Sequence, residues 1–232
     1  MSGIILNIVG GTFDAKDPFF ANVELLAIND NKGDTTTVFA DESTTPKTLT
    51  TNGAAEYDTA YAPTGMTSSG LLATSTAFLT TPTNAGFNFG TGDMAFECWY
   101  YWPAVDPVGF AVFFDTGTQA FAAQLTSDKL ALIFVINGGV KLTSSAHGMV
   151  SGNWYHLAWT RQSGVLYIFV DGVQKGTIAD ATSCATSGTV NLGRYSAGGF
   201  SIASNICCVR VTKGQARYTS SFTPPTLPLP TS

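Results

Sequence analysis

Residues 154–172, Trp-Tyr-His-Leu-Ala-Trp-Thr-Arg-Gln-Ser-Gly-Val-Leu-Tyr-Ile-Phe-Val-Asp-Gly, decide the fold of this chain. Two runs rich in β-branched and aromatic residues are separated by Ser163-Gly164, and the second run ends at Asp171-Gly172. Both dipeptides tolerate the positive φ angles of tight hairpin turns. The stretch therefore predicts consecutive antiparallel strands.

The same pattern continues on both sides of this stretch. Asn137-Gly138-Gly139 predicts another hairpin, so residues 129–178 should form a meander. No segment has apolar residues that recur at the spacing of an α-helix, and short apolar runs alternate with turn residues throughout the chain. Strands are predicted at 22–28, 36–41, 54–57, 70–81, 93–102, 109–115, 118–126, 129–136, 139–144, 154–161, 164–171, 173–178, 188–193 and 205–212. This number of short strands fits an all-β, two-sheet antiparallel sandwich.

Length and composition favour one domain without nucleic-acid or membrane partners. The chain has 232 residues, of which 44% are hydrophobic and only 12% charged, against about 25% charged residues in ordinary soluble domains. The net charge of −5 and the scattered lysines and arginines argue against nucleic-acid binding. No run approaches the roughly 18 apolar residues of a membrane helix. The N-terminus has neither a basic region nor a cleavage site of a signal peptide, so we expect synthesis in the cytoplasm.

Three regions are predicted along the chain. Residues 1–18 form an N-terminal arm, residues 19–222 the sandwich, and the Pro-rich residues 223–232 an extended strap across its surface. The arm carries apolar residues that the sandwich does not need, and they are candidates for holding a neighbouring protein: Ile4, Ile5, Leu6, Ile8, Val9 and Phe13.

The four cysteines have neither metal spacing nor the density of a disulfide scaffold. We therefore expect Cys98, Cys184, Cys207 and Cys208 to be reduced thiols. Because Cys207 and Cys208 are adjacent in one predicted strand, their side chains should lie on opposite faces of the sheet.

Several blocks in order carry a resemblance to a known family. In chain order they are Val23–Leu26, Asp41–Thr48, Phe87–Trp102, Trp154–Arg161, Phe169–Gly172, Val190–Gly193, Gly214–Tyr218 and Phe222–Pro225. Together they resemble the laminin-G-like branch of the concanavalin A-like sandwich fold, in the version common in bacteriophage structural proteins. The resemblance implies a jelly roll that serves binding and assembly. Residues 203–208 depart from the pattern, since many relatives have an acidic pair there.

The motif positions of this pattern also have structural explanations. Trp154 and Trp159 have opposite parity on one strand and are expected to pack on opposite faces. His156 is expected to be hydrogen-bonded. Arg210 and Arg217 are expected to bind carbonyl groups or a carboxylate such as that of Glu97 or Asp171. The residues expected to have structural roles are Trp154, His156, Arg161, Asp171, Gly172, Arg210, Gly214, Arg217 and Tyr218.

Candidate ligand contacts are few. Exposed aromatic rings could stack on the C–H faces of sugars, and the candidates are Trp102, Phe110, Tyr195 and Phe200. Asp93 and Asp171 are candidate calcium ligands, although no dense Asp/Asn loop accompanies them. No other cofactor is expected.

Catalysis is not expected. Retaining glycosidases need two carboxylates about 5–5.5 Å apart, and Glu97 has only Ala95 and Trp99 as its neighbours on the same face of its strand. Nucleophile and phosphate-binding motifs are also missing from the sequence.

The family resemblance implies a bacteriophage virion protein, a capsid decoration, head-fibre or tail-associated module in the particle; the low charge, the missing export signal and the apolar arm agree with it. Its expected partners are other virion proteins, copies of itself in an oligomer or lattice, and a host-surface glycan. The alternative is a free carbohydrate-binding lectin without a virion role. An adhesion domain of a longer bacterial polypeptide is a third interpretation.

Overall fold

Two antiparallel sheets pack face to face in this computed structural model, which describes residues 16–104, 109–185 and 188–232. The described part contains fifteen strands and two short 3₁₀ turns, at Phe20–Asn22 and Ala85–Phe87. The strands are β1 Val23–Ala27, β2 Thr50–Asn52, β3 Glu56–Asp58, β4 Ser69–Leu72, β5 Phe78–Thr81, β6 Met94–Tyr101, β7 Ala111–Asp115, β8 Phe121–Leu125, β9 Leu132–Ile136, β10 Gly139–Thr143, β11 Trp154–Gln162, β12 Val165–Val170, β13 Val173–Ala179, β14 Val190–Leu192 and β15 Ser204–Lys213. The predicted all-β, two-sheet class is confirmed.

The sheet that we call sheet A has eight strands, in the order β13-β12-β11-β6-β15-β4-β3, with β1 also paired to β15. Sheet B has seven, in the order β10-β9-β8-β7-β14-β5-β2. The predicted hairpins at Ser163-Gly164 and Asp171-Gly172 join β11, β12 and β13 in the expected meander. No helix in the described ranges is long and apolar enough to span a membrane.

The core lies between the two sheets because alternate strand residues point inward. Phe96 from sheet A meets Phe114 from sheet B at a ring-centroid distance of 5.0 Å, and Trp159 from sheet A meets Phe113 from sheet B at 5.4 Å. The indole of Trp159 also donates a hydrogen bond of 2.9 Å to the carbonyl of Ile133 in sheet B. Trp159 is therefore an anchor that ties one sheet to the other.

The outer face of sheet A is covered by the C-terminal tail. Leu229 is buried with Val23, Leu26 and Met66 in a second apolar cluster, which Trp154 borders. The backbone N–H and C=O of Leu229 both bind the side chain of Asn29, at 2.7 and 3.0 Å. Trp154 thus packs on the opposite face from Trp159, and the tail lies across the sandwich.

Several strand boundaries differ from the sequence prediction. Residues 36–41 form no strand, because Asp41 instead accepts hydrogen bonds from the backbone of Leu26, Ser43 and Lys47. The predicted strand 70–81 is two strands, β4 and β5. The all-polar strand β2, Thr50–Asn52, gave no apolar signal.

The expectation for Cys207 and Cys208 is wrong. One extra residue bulges out of β15 between its pairs Cys207–Trp99 and Arg210–Glu97, and Cys208 has a φ of 54°. A bulge places two successive side chains on the same face, so both cysteines lie in the outer apolar cluster. They are joined as a vicinal disulfide, whereas Cys98 and Cys184 are free thiols, as expected.

Candidate ligand-binding cleft

A cleft of about 260 Å³ opens on the outer face of sheet B. Strands β8 and β9 form its floor, and the loop between β14 and β15 forms one wall. Its lining residues are Phe110, Gln119, Gln124, Ile133, Val135, Gly138, Val140, Tyr195 and Phe200. Three of the four aromatic residues predicted to contact sugar are therefore brought together in one place.

The aromatic wall is built from three rings, of which Phe200 contacts the other two. Tyr195 and Phe200 stack at 6.2 Å with an angle of 26° between their planes. Phe110 meets Phe200 edge to face at 5.5 Å. Aromatic pairs in such geometries stabilise one another, so the rings hold each other in fixed orientations.

Backbone contacts fix the loop that carries Tyr195 and Phe200. The carboxylate of Asp115, at the end of β7, accepts hydrogen bonds of 2.9 Å from the backbone N–H groups of Gln119 and Ser196. The carbonyl of Phe200 accepts a hydrogen bond of 3.0 Å from Val112. The path of the loop therefore does not depend on the aromatic side chains.

The floor of the cleft is apolar except for one carboxamide. Ala122, Ile133 and Val135 form a small buried cluster on this outer face. Gln124 lies beside them with 2% of its surface exposed, and its Nε2 has no hydrogen-bond partner among the described residues. A buried donor without a partner costs about 1–3 kcal/mol. An acceptor on a ligand would recover part of this free energy.

Sequence reasoning missed Gln124 and the apolar floor residues as parts of a site. The signal was nevertheless present: residues 131–136 are apolar on both faces, which required a cover outside the core. Ile133 and Val135 face outward while Leu132, Phe134 and Ile136 face the core.

Trp102 does not belong to the cleft, and its prediction as a glycan contact is wrong. Its side chain is 6% exposed and lies in the core between the sheets. The ring packs against Tyr100 and His147, at 6.1 and 4.8 Å. A ring enclosed in this way has no free face for a sugar.

A larger recess, of about 450 Å³, lies near Glu24, Lys47 and Asn84. Its polar groups bind one another. The ammonium group of Lys47 lies 3.4 Å from the Glu24 carboxylate, and the side-chain oxygen of Asn84 accepts a hydrogen bond from Gly86. Because these groups are already paired, the aromatic cleft is the better candidate for a ligand.

A buried ionic network lies on the outer face of sheet A, on the opposite side of the molecule. Glu97 is 1% exposed and binds Arg210 at 2.7 Å, the Nε2 of His156 at 2.8 Å and the hydroxyl of Tyr218 at 2.7 Å. Arg210 and Arg217 both bind Asp17, at 3.0 and 2.8 Å. Two carboxylates thus face two guanidinium groups, an arrangement that suits the structural roles expected of these side chains.

The network shifts the pKa values of its members. Burial alone would raise the pKa of Glu97, but the charge of Arg210, the hydrogen bond from His156 and the charge of Arg217 hold it well below its usual range. Burial and the neighbouring Glu97 carboxylate raise the pKa of Tyr218. Glu97 is therefore a saturated acceptor, and both of its oxygens are in use.

The N-terminal arm cannot extend to residue 18, since Asp17 is buried in this network and its backbone N–H binds the carbonyl of Ser232. The arm candidates Ile4, Ile5, Leu6, Ile8, Val9 and Phe13 lie outside the described residues.

Two other motif positions support neighbouring segments. Arg161, fully buried, donates to the carbonyls of Gly90, Gly92 and Thr182, at 2.8, 2.8 and 2.9 Å. Gly172 has a φ of 73°, and a Cβ there would lie 1.8 Å from the carbonyl oxygen of Phe222. The turn therefore requires glycine.

The two candidate calcium ligands are not brought together. The carboxylate of Asp93 accepts the backbone N–H of Ser163, and Gly214 binds the Asp93 carbonyl. Asp171 accepts the backbone N–H of His156, near the other end of β11. In the part of the chain that the structure describes, no three His, Cys, Asp or Glu side chains converge as a metal site.

The sequence and fold match known proteins. A laminin-G-type family model, described as concanavalin A-like lectin/glucanases superfamily, matches residues 73–216. No curated protein sequence matches significantly.

Solved structures share the fold at low identity. The binding domain of Paraclostridial mosquitocidal protein 1 matches with a TM-score of 0.62 and 11% identity, covering 88% of this chain and 50% of that chain. The binding domain of botulinum neurotoxin DC, in complex with rat synaptotagmin II, matches with a TM-score of 0.60 and 13% identity. This match covers 84% of this chain and 48% of that chain. This chain spans about half the length of these toxin domains.

A third structure is domain 4 of AbnA, an extracellular GH43 arabinanase from Geobacillus stearothermophilus, in complex with arabinotriose. It matches with a TM-score of 0.53 and 17% identity, covering 74% of this chain and 83% of that domain. Identities this low show a shared fold alone.

Proposed function

Because this chain belongs to the laminin-G-type family of the concanavalin A-like lectin/glucanase superfamily, we propose that it binds carbohydrate in the cleft on sheet B and catalyses no reaction. The family alone does not name a ligand, since one fold hosts many functions. The proposal therefore depends on the side chains of the cleft.

The observation that carries the proposal is an aromatic wall beside an unpaired amide. Tyr195 and Phe200 present ring surface on which the C–H face of a sugar can stack. Gln124 supplies a buried donor for a hydroxyl or carbonyl oxygen, on a floor of apolar side chains. Sites for small ligands combine predominantly apolar linings with a few such polar groups. The arabinotriose bound to the AbnA domain supports the proposal.

The geometry of Glu97 supports a binding role without catalysis. A glycosidase needs a carboxylate that can reach the scissile bond or protonate the leaving group. Both oxygens of Glu97 are held by buried side chains in the network on sheet A, on the face away from the cleft. Its charge stabilises the fold.

Replacing Phe200 or Tyr195 with alanine is expected to weaken glycan binding about tenfold in each case, corresponding to about 1.4 kcal/mol. The ligand would be found on a glycan array and its affinity measured by isothermal titration calorimetry. Tyr61→Ala is the matched control, because Tyr61 is exposed and packs on Tyr101 away from the cleft. Equal affinities of the Phe200 and Tyr61 variants would contradict the assignment of the cleft.

For the biological setting, we propose a bacteriophage particle, in which the module joins other virion proteins and faces the host. The support is the ordered sequence resemblance to phage structural proteins, together with the apolar residues of the arm. Mass spectrometry of purified particles should find this chain as a stoichiometric component. Its absence from such particles would favour the free lectin instead.

A further inference from the structure

Resting on the proposed function, we infer that the cleft is one half of a longer groove, which takes an internal stretch of a neutral oligosaccharide chain across Phe200. A single terminal sugar would occupy only one half.

A second cleft lies on the other side of Phe200. It measures about 370 Å³ and is lined by Ser75, Gly109, Gly199, Phe200, Ser201 and Ala203. Phe200 lines both clefts, and its side chain is 41% exposed. Because one exposed ring lines both recesses, the two clefts adjoin at Phe200, and we call this ring the ridge.

The ridge is held in place by an unusual backbone. Phe200 has a φ of 52° and Ala203 a φ of 47°, conformations that cost a side-chain-bearing residue free energy and cluster at ligand sites. Gly109 lets the ring come close, because a Cβ at this position would lie only 3.1 Å from a ring carbon of Phe200. The backbone conformation of Phe200 and Ala203, together with the lack of a side chain at Gly109, therefore positions the Phe200 ring where the two clefts adjoin.

The size of the clefts favours a chain over one sugar. The second cleft, at about 370 Å³, already lies within the roughly 300–1,000 Å³ typical of small-molecule sites, and the first adds about 260 Å³. The two clefts together therefore offer more room than one sugar unit in either cleft would use. A ligand that fills both must pass over the ring of Phe200, where a sugar unit can stack on the exposed ring.

The chemistry of the lining favours a neutral chain. None of the described residues that line either cleft is charged. A uronic acid or a sulfated sugar would be desolvated there without a cation to pair with, which is costly. Hydroxyl groups can instead bind Gln124 and Gln119 in the first cleft and Ser75 and Ser201 in the second.

The test is the dependence of affinity on chain length. Arabino-, cello- and malto-oligosaccharides of one to six units would be titrated against the full chain by calorimetry. For the series that binds, the dissociation constant should fall at least tenfold between one and four units. Equal affinity for one and six units would overturn the groove while leaving sugar binding intact. Failure to bind any sugar in these series and on an array would overturn the proposed function as well.

A substitution confined to the second cleft sharpens this test. Ser75 is exposed and lines only that cleft. Ser75→Trp should abolish the increase in affinity that the wild type shows between one and four sugar units. Thr74→Trp is the control, because Thr74 is exposed on the same loop and lines neither cleft. If Ser75→Trp kept the full increase in affinity with chain length, that result would contradict the groove.

Discussion

Glu97→Gln is expected to lower the free energy of unfolding by about 3–5 kcal/mol at pH 7, the range for removing one partner of a buried ion pair. The substitution keeps the shape of the side chain but removes the charge that Arg210 and Arg217 face. Asp17 would then be the one described carboxylate left in contact with both guanidinium groups. Urea denaturation followed by tryptophan fluorescence measures the loss.

Glu56→Gln is the matched control, because Glu56 is a half-buried carboxylate in strand β3, outside the network. We expect it to change the free energy of unfolding by less than about 0.5 kcal/mol. A loss at Glu97 no larger than that at Glu56 would show that the network does not stabilise the fold.

The effect of Glu97 should depend on pH in a defined direction. Its pKa is lowered in the folded protein, so its contribution is complete above the unfolded value of 4.5 and declines as the pH falls below it. The difference between the wild type and Glu97→Gln should therefore narrow by about 1.4 kcal/mol per pH unit below 4.5. Asp17, whose pKa is lowered against its burial mainly by Arg217, makes the wild type and the variant both lose stability as the pH falls, and so leaves their difference unchanged.

Arg161→Met is expected to lower the free energy of unfolding by about 3 kcal/mol or more. The carbonyls of Gly92 and Thr182 would lose the donor that binds them, and an unsatisfied buried group costs about 1–3 kcal/mol. The carbonyl of Gly90 would lose one of its two donors and keep the backbone N–H of Cys184. The contacts of Arg161 tie the segment before β6 to the segment after β13, where Gly90 and Cys184 form an isolated β-bridge. That bridge should open more often in the variant.

The thiol of Cys184 reports such opening directly. Cys184 is buried, lies 3.3 Å from Arg161, and has a pKa that burial raises. It should therefore react slowly with iodoacetamide in the wild type and faster in Arg161→Met. Arg194→Met is the control, since Arg194 lies over the ring of Phe78 and should contribute only about 0.5–1 kcal/mol. Unchanged alkylation of Cys184 in the Arg161 variant would contradict a clamping role.

The sequence predicts the layers of this fold well, because apolar alternation and turn dipeptides are local signals. The sequence does not predict the structure correctly where tertiary contacts determine whether a segment forms a strand or which face a side chain takes. Residues 36–41 have strand composition, yet the side chain of Asp41 takes the hydrogen bonds that a strand partner would need. The bulge at Cys208 places this side chain on the same face as that of Cys207, and no local sequence pattern predicts the bulge.

The candidate site was predictable in part. Phe110, Tyr195 and Phe200 were identified as aromatic residues, but their convergence depends on a loop folding over sheet B. Trp102 has the same chemistry and lies one residue beyond β6, where the sequence does not show whether the ring turns inward or outward. Gln124 is a single polar residue in an apolar strand, and its role emerges only once the fold places it in one cleft with Tyr195.

The way Asp115 and Val112 hold the loop between β14 and β15 makes this protein a suitable scaffold for engineering. Its anchors are hydrogen bonds to main-chain atoms of the loop, so the residues at positions 195 and 200 can be exchanged for other side chains while the loop keeps its course. A combinatorial library at these two positions should yield stable variants with altered selectivity.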